Sequence, residues 1–338
     1  MIKELIKQLI SKNDLTDLQM QQVMREILGG AVETADIIVF LTSLNNKGET
    51  AAELTAAVTV MLEYVEPIIV DKPNILDTCG TGGDQKGTFN ISTITALVAS
   101  GAGVTVAKHG NRSVSSKWGS ADILEALGVK IDMDVKAIKK CLEKIGIAFL
   151  FAPKLHLAMR QVMPARKQIA QKTIFNILGP LINPARATNQ LIGVYSKTWV
   201  RPLAEVLRNL GSQHVLVVHG ADGLDEVTTT DKTFIAELKG GLIKDYEIVP
   251  EDFGFKRASL NDLLGGSVSQ NVMIAQEILA GKPGSRRDIV LFNAGAAIYA
   301  ADKAQTITEG IRLAQESIDS GAASEKLKML KEYSQSYA

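Results

Sequence analysis

Glycines at 80, 82 and 83 stand between Asp77-Thr78-Cys79 and Asp84, where missing β-carbons bring the backbone within a ligand's reach and permit positive φ. Backbone N–H groups exposed in this way form an anion-binding concavity. Thr88, Asn90, Ile91, Ser92 and Thr93 follow at the start of a helix-like run, where free N–H groups and the helix dipole favour phosphate. A short glycine loop alone is often only a tight turn. A strand, a loop and a helix start in succession make a phosphate site the better reading. The spacings of the P-loop and of dinucleotide-binding folds are both absent.

A second polar loop runs Lys108-His109-Gly110-Asn111-Arg112-Ser113-Val114-Ser115-Ser116. Two cations and three hydroxyls near a strand end suit a phosphate or diphosphate, against the plainer reading of a solvated surface loop. His109, beside a tight glycine turn, reads as structural rather than as an acid or base. Asp84, an acid in an anion site, makes sense if a cation such as Mg²⁺ mediates the contact; otherwise it is a turn residue bonding its own backbone. Asp225 and Glu226, adjacent at a strand end, are either a Mg²⁺ site for a diphosphate or a solvated acidic turn.

The 338 residues allow one large domain or two, and 46% hydrophobic with 22% charged residues is ordinary for a globular chain with a real core. Lysines and arginines number 37 and acids 37, so no polyanion surface is expected and nucleic acid is an unlikely partner. Cys79 and Cys141 are too few and too separated for a disulfide framework or a zinc site, and no His/Asn arrangement accompanies Cys79 to make it a nucleophile. The chain enters at once into an amphipathic pattern, and its longest apolar stretch, about 94 to 107, is too short to span a bilayer. A soluble, cytoplasmic protein is expected.

The elements that must position these groups change character along the chain. Residues 1 to about 65 read as helices, with capping boxes at Thr16/Gln19 and Thr50/Glu53 and a stop at Gly29-Gly30. Leu54, Ala57, Val58, Met61, Leu62 and Val65 form one stripe, for a core or for a second subunit. Strand-like runs follow at 68–70, 74–77, 104–107, 147–151, 191–195 and 214–220. Helix-like runs lie at 91–100, 121–127 with Ser120 as N-cap, 135–144, 155–172 and over most of the chain from 259. The alternation predicts an α/β class with a mostly parallel central sheet beside a small all-helical domain. The expected boundaries are 1–66, joined by 164–184, for the helical domain, and 67–163 with 185–338 for the α/β domain.

Together, the segments 77–84, 90–93, 108–116, 119–122, 173–184 and 222–226 resemble those of the anthranilate phosphoribosyltransferases, and the likeness covers nearly the whole chain. The resemblance implies the nucleoside phosphorylase/phosphoribosyltransferase type of fold, Mg²⁺ dependence and a homodimer formed through the helical domain. It implies that phosphoribosyl diphosphate is held by Gly80, Gly83, Asp84, Thr88, Asn90, Ile91, Ser92 and Thr93. Lys108, His109, Gly110, Asn111, Arg112, Ser113, Val114, Ser115, Ser116 and Ser120 would complete that cradle. Ser92, Asp225 and Glu226 would hold Mg²⁺. Gly80, Asn111 and Arg166 would meet anthranilate, with Arg166 against its carboxylate; an Arg on an amphipathic helix is otherwise usually just solvated.

The implied reaction moves the phosphoribosyl group to the amine of anthranilate and releases diphosphate. Because an aromatic amine is a poor nucleophile, the burden falls on leaving-group departure, aided by Mg²⁺, Lys108 and Arg112. No general base is assigned. A nucleoside phosphorylase of the same architecture, or a non-catalytic phosphoribosyl-diphosphate-binding regulator, are the alternatives. The sequence departs from the family pattern at Trp118, where a small residue is expected, and at Leu157, Ala165 and Lys172.

Overall fold

The computed structural model describes residues 1–112, 118–169 and 171–337. Four helices open the chain: α1 (Ile2–Ile10), α2 (Asp17–Leu28), α3 (Thr34–Lys47) and α4 (Ala51–Glu63). Both expected capping boxes form, with Thr16 on the Gln19 N–H and Thr50 on the Glu53 N–H. The apolar stripe of α4 is buried throughout. Glu53 is fully buried too, accepting from the Leu15 and Thr50 N–H groups and from Lys47 Nζ at 2.9 Å, so its charge is paired and hydrogen-bonded.

The strands are β1 (Leu76–Asp77), β2 (Val106–Gly110), β3 (Ile147–Phe151), β4 (Asn189–Gly193), β5 (His214–Gly220), β6 (Thr233–Lys239) and β7 (Leu242–Ile248). They form one sheet in the order β3-β2-β1-β4-β5-β6-β7. The first five are parallel and the last two antiparallel, giving the expected mostly parallel sheet. The β6–β7 hairpin was not legible as strands, yet its turn is Gly240-Gly241 with φ of +56° and +79°, the two-residue geometry that suits the twist of a hairpin.

Intervening helices are α5 (Ile91–Gly101), α6 (Ser120–Ala126), α7 (Val135–Ile145), α8 (Ala152–Leu155), α9 (Met163–Gln168) and α10 (Val200–Asn209). The chain closes with α11 (Val268–Leu279), α12 (Ser285–Ala300), α13 (Ile307–Asp319) and α14 (Ala322–Ser336). Alternation along the strands separates two cores. Leu191, Leu216 and Val218 face a core with α5, α7 and α12–α14. Ile192, Val215 and Val217 face the other, which is continuous with α1–α4, α9, α10 and the segment 174–182. Phe149 and Phe292 in the first and Phe40 in the second are fully buried, each worth about 1.5–3 kcal/mol in area removed from water.

Three local expectations are corrected. Residues 68–70 form no strand and pair with none among the described residues; Ile68 N–H instead donates to the Pro184 carbonyl at 2.9 Å. The run 155–172 is not one helix but a 3₁₀ turn (Leu157–Gln161) followed by the short α9, because Pro164 has no N–H with which to continue a helix from the preceding turn. The N-cap of α6 is Gly119 rather than Ser120, and its N–H donates to Asp122 Oδ2 at 2.8 Å.

Candidate active site

The chain leaves β1 toward β2 and β3 on one side, then returns to β4 on the other side of β1 and steps outward to β5. Crossovers diverge at such a point and leave a crevice beyond the carboxyl ends of the two central strands. The loops after β1, β2, β4 and β5 all emerge there.

The loop after β1 lies against the end of β4. Thr81 N–H donates to the Gly193 carbonyl at 2.8 Å, and the Tyr195 N–H donates to Thr81 Oγ1 at 3.1 Å. A β-carbon on Gly80 would stand 2.9 Å from that same carbonyl oxygen and 3.5 Å from Asp225 Oδ2; on Gly193 it would stand 1.5 Å from the Asp225 carbonyl oxygen. Glycine at both positions is what brings three segments together. Gly82 and Gly83 adopt φ of +63° and +84°. Further along, Phe89 N–H donates to the Leu263 carbonyl, Gly265 N–H donates to that of Gly87, and Thr88 bridges Leu264.

Beyond β5, the turn is fixed from within. Asp222 accepts from the Leu224 N–H at 3.0 Å, from the Thr228 hydroxyl at 2.6 Å and from the Thr230 hydroxyl. Buried Asn293 on α12 accepts from the Val227 N–H at 2.9 Å and donates to the Val227 carbonyl at 2.8 Å, so the backbone after Glu226 is clamped. These contacts aim Asp225 and Glu226 at the first loop. Gly82 N–H donates to the Asp225 carboxylate, and Ser92 N–H, in the first turn of α5, donates to Glu226.

Burial, then the charge of Asp84 and a hydrogen bond with it, push the Asp225 carboxyl up to about 8. Burial and the charge of Asp225 raise Glu226 well above the usual carboxylate range. Asp84 Oδ1 accepts from the Lys86 N–H at 3.1 Å, the turn contact expected of it, while no N–H among the described residues reaches its buried Oδ2. Three crowded carboxyls, one with a buried oxygen that no N–H reaches among the described residues, form a hard-oxygen donor set, and they fit a divalent cation such as Mg²⁺.

Lys108 extends from β2 beneath the first loop. Its ammonium donates to the Thr78 carbonyl at 3.1 Å, to Thr78 Oγ1 at 3.3 Å and to Ser92 Oγ at 3.3 Å. The Ser92 hydroxyl thus lies between Lys108 and the helix turn that holds Glu226. Thr93 is buried, its hydroxyl without a hydrogen-bond partner among the described residues, and Ile91 turns its side chain into the core. Asn90 Nδ2 donates to the Trp118 carbonyl, and Trp118 Nε1 donates to that of Gly266, tying the second loop to the start of α11.

His109 turns away from the crevice. Its Nδ1–H donates to the Gly179 carbonyl at 3.1 Å, which leaves Nε2 to accept from His156 Nε2–H at 3.0 Å. Burial and the neighbouring His156 pull His109 down to about 3, and burial pulls His156 down to about 4, so both rings are neutral. The His109 N–H donates to Asp77 Oδ1 at 3.1 Å, and Asn183 Nδ2 donates to Asp77 Oδ2 at 2.7 Å. Ligand atoms of Asp77, Cys79 and His109 lie within 4.8 Å of one another, but the carboxylate and both ring nitrogens are already hydrogen-bonded, and burial raises the Cys79 thiol far out of the thiolate range. That cluster braces the sheet end and is no match for a hard cation.

Gly110 accommodates Ser120 and Phe149, whose atoms would lie 2.3 and 2.6 Å from a β-carbon there. The Asn111 carbonyl accepts from Ser120 Oγ at 3.3 Å and from the Ala121 N–H, and its side-chain oxygen accepts from the Arg112 N–H. Arg112 lies on the surface with its guanidinium on Asp122 at 2.7 Å and Glu125 at 2.9 Å, two carboxylates of α6. Ser113, Val114, Ser115 and Ser116 lie outside the described residues. Arg166, half-buried on α9, has no hydrogen-bonded or ionic side-chain partner among the described residues and stands 5.8 Å over the Phe175 ring; burial lowers its pKa.

Sequence reasoning passed over Gly193, Asn293 and the contacts of Lys172. Gly193 read only as part of a strand; a glycine ending an apolar strand beside a turn was the available signal. Nothing local marks Asn293, which sits mid-helix.

Residues 72–324 match the family model of a glycosyl transferase family, a/b domain, and residues 3–65 match that of its helical bundle domain. The anthranilate phosphoribosyltransferase of Symbiobacterium thermophilum is 47% identical over 98% of this chain and 97% of its own. The solved anthranilate phosphoribosyltransferase of Thermus thermophilus superposes with a TM-score of 0.93 at 40% identity, covering 98% of this chain and 99% of that one. That of Saccharomyces cerevisiae, solved in complex with PRPP and Mg, gives 0.91 at 29% identity, covering 99% and 98%. With this likeness running through both the helical and the α/β portions, the chain belongs to the anthranilate phosphoribosyltransferase family.

Proposed function

We propose that this protein is an anthranilate phosphoribosyltransferase: it transfers the phosphoribosyl group of phosphoribosyl diphosphate to the amine of anthranilate, releasing diphosphate, in tryptophan biosynthesis. The observation that carries the reading is the set of Asp84, Asp225 and Glu226 crowded against a glycine loop, with the buried Asp84 Oδ2 reached by no N–H among the described residues. Carboxylates beside an anion-type loop are compatible with a phosphate ligand when a cation stands between them.

In this reading Ser92, Asp225 and Glu226 hold Mg²⁺, with Asp84 beside them. When bound, the ion supplies positive charge against the diphosphate. Gly80, Gly83, Thr88 and residues 90–93 receive the phosphoribosyl diphosphate through backbone N–H groups and hydroxyls. Lys108, fixed by Thr78 and Ser92, places its ammonium under that loop. Arg112 is held on α6 by two carboxylates, so its service to the leaving group requires exchange of those partners. Asn111 and Arg166 receive anthranilate, and the lack of a carboxylate partner for Arg166 among the described residues supports a substrate carboxylate in that place.

Residues 164–184 are read as travelling with the helical domain, since Ala165, Ile174, Phe175 and Leu181 share the core of α1–α4. The protein is further read as a cytoplasmic homodimer pairing through that domain, a view supported by exposed Ile10, Leu18 and Val39. Sedimentation equilibrium gives the assembly mass. The deciding assay mixes the protein with phosphoribosyl diphosphate, Mg²⁺ and anthranilate. Loss of anthranilate fluorescence is expected, and a persistent signal with folded protein rejects the activity.

A further inference from the structure

Lys172 approaches the site from a segment remote in sequence from both loops. Its ammonium donates to the Gly83 carbonyl at 3.1 Å, and it stands 3.2 Å from the centroid of the Tyr195 ring. The ring is a fixed platform. Tyr195 N–H donates to Thr81 Oγ1 in the same glycine loop, and the Tyr195 hydroxyl accepts from Trp199 Nε1 at 3.1 Å. The ammonium therefore closes a bracket around residues 81–83, from the 171–173 segment on one side and the end of β4 on the other. It is also within the field of Asp225 and Asp84 while forming no ion pair with either among the described residues.

We propose that Lys172 is a positioning residue whose ammonium holds the glycine loop through the Gly83 carbonyl and competes with a divalent cation for the Asp84 and Asp225 carboxylates. The loop hydrogen bond sets where the backbone N–H groups of residues 82–84 point. The charge offsets part of the repulsion among the acids, so a dication entering the substrate-free site meets a positive neighbour and gains less. The inference rests on the reading of Asp225 as a metal ligand.

The test uses Mn²⁺ alone as probe, its free form followed by electron paramagnetic resonance, on the full-length wild type and on Lys172→Met, Lys172→Arg and Asp225→Asn. Lys172→Met is expected to bind Mn²⁺ about tenfold more tightly than wild type, the effect of one removed charge at moderate distance. In turnover, its KM for phosphoribosyl diphosphate is expected to rise by more than kcat falls, because the loop is no longer held. Lys172→Arg, which keeps the charge and a donor, restores both. Lys172→Gln takes the place of Lys172→Met if the latter does not fold. Mn²⁺ affinity that is unchanged or weaker in the neutral variant, while Asp225→Asn abolishes binding, overturns the role of Lys172 and leaves the metal reading standing. Binding that Asp225→Asn does not alter overturns both.

Discussion

The end of β4 and the turn after β5 meet at Gly193 and Asp225, where a β-carbon on Gly193 would lie 1.5 Å from the Asp225 carbonyl oxygen. No rotamer relieves that overlap, since the obstacle is backbone. Gly193→Ala must therefore push the Asp225–Glu226 turn away from Asp84 and the first loop. A displacement near 1 Å at reacting groups costs on the order of 100-fold in rate, and the strain costs about 1–3 kcal/mol in stability. Steady-state kcat/KM for phosphoribosyl diphosphate and a thermal melt read the two effects. An alanine variant with wild-type kinetics would place Asp225 outside the machinery.

Cation binding should be pH-dependent. The Asp225 carboxyl is raised to about 8 and Glu226 is raised as well, so the metal-free protein holds a proton there at pH 7 and a bound cation must displace it. Apparent Mg²⁺ affinity is expected to rise with pH and to level off above about 8. For stability the sign is that of an acid with a raised folded pKa. Its contribution is full below the ordinary carboxylate range and is lost as pH rises through the folded value, so Mg²⁺ should raise the melting temperature more at pH 9 than at pH 6. Calorimetry in two buffers of different ionisation enthalpy counts the released proton; zero release at pH 7 contradicts the assignment.

The neutral His109–His156 pair makes the opposite prediction on the acid side. Both folded values, about 3 and about 4, lie below the ordinary 6.5. Their contribution is therefore full above pH 6.5 and is lost as pH falls toward the folded values, because burial opposes a charge on either ring and a second proton on His109 Nε2 would also face the His156 N–H across the 3.0 Å contact. At pH 5 each ring accounts for roughly 2 kcal/mol of lost stability. Urea unfolding at pH 7.5 and pH 5 should show a smaller acid loss for His156→Gln than for wild type. Equal losses would mean that the pair is not the source.

Arg166 is predicted to act on one substrate only. Removal of a charged, two-pronged partner for a carboxylate costs roughly 1.5–3 kcal/mol, so Arg166→Ala should raise the KM for anthranilate about 10- to 100-fold while leaving that for phosphoribosyl diphosphate nearly unchanged. An unchanged anthranilate KM removes the carboxylate assignment. Lys in its place should recover part of the loss, since the charge returns without the planar fork.

Much of the architecture could be read directly because its causes are local. The capping boxes at Thr16 and Thr50 and the stripe on α4 are consequences of residue type and spacing, and both appear as expected. The β6–β7 hairpin and the broken 155–172 run were harder. The first has mixed burial on its outer strand, and the second depends on a proline that sits at a helix start as readily as at a break.

By itself the sequence determined that two glycine-bearing polar loops follow strands, that an acid pair follows another, and that helices precede an alternating α/β pattern. These are properties of short windows, set by backbone freedom and side-chain periodicity. Tertiary structure alone decided which groups meet. It set Gly193 under Asp225, Lys172 on Gly83, Asn293 behind Glu226, and His109 against His156 rather than in the crevice. Each of these pairs is distant along the chain, and each is fixed by strand order and by close packing around a site where several backbones converge. No local pattern encodes the neighbour that a fold will supply.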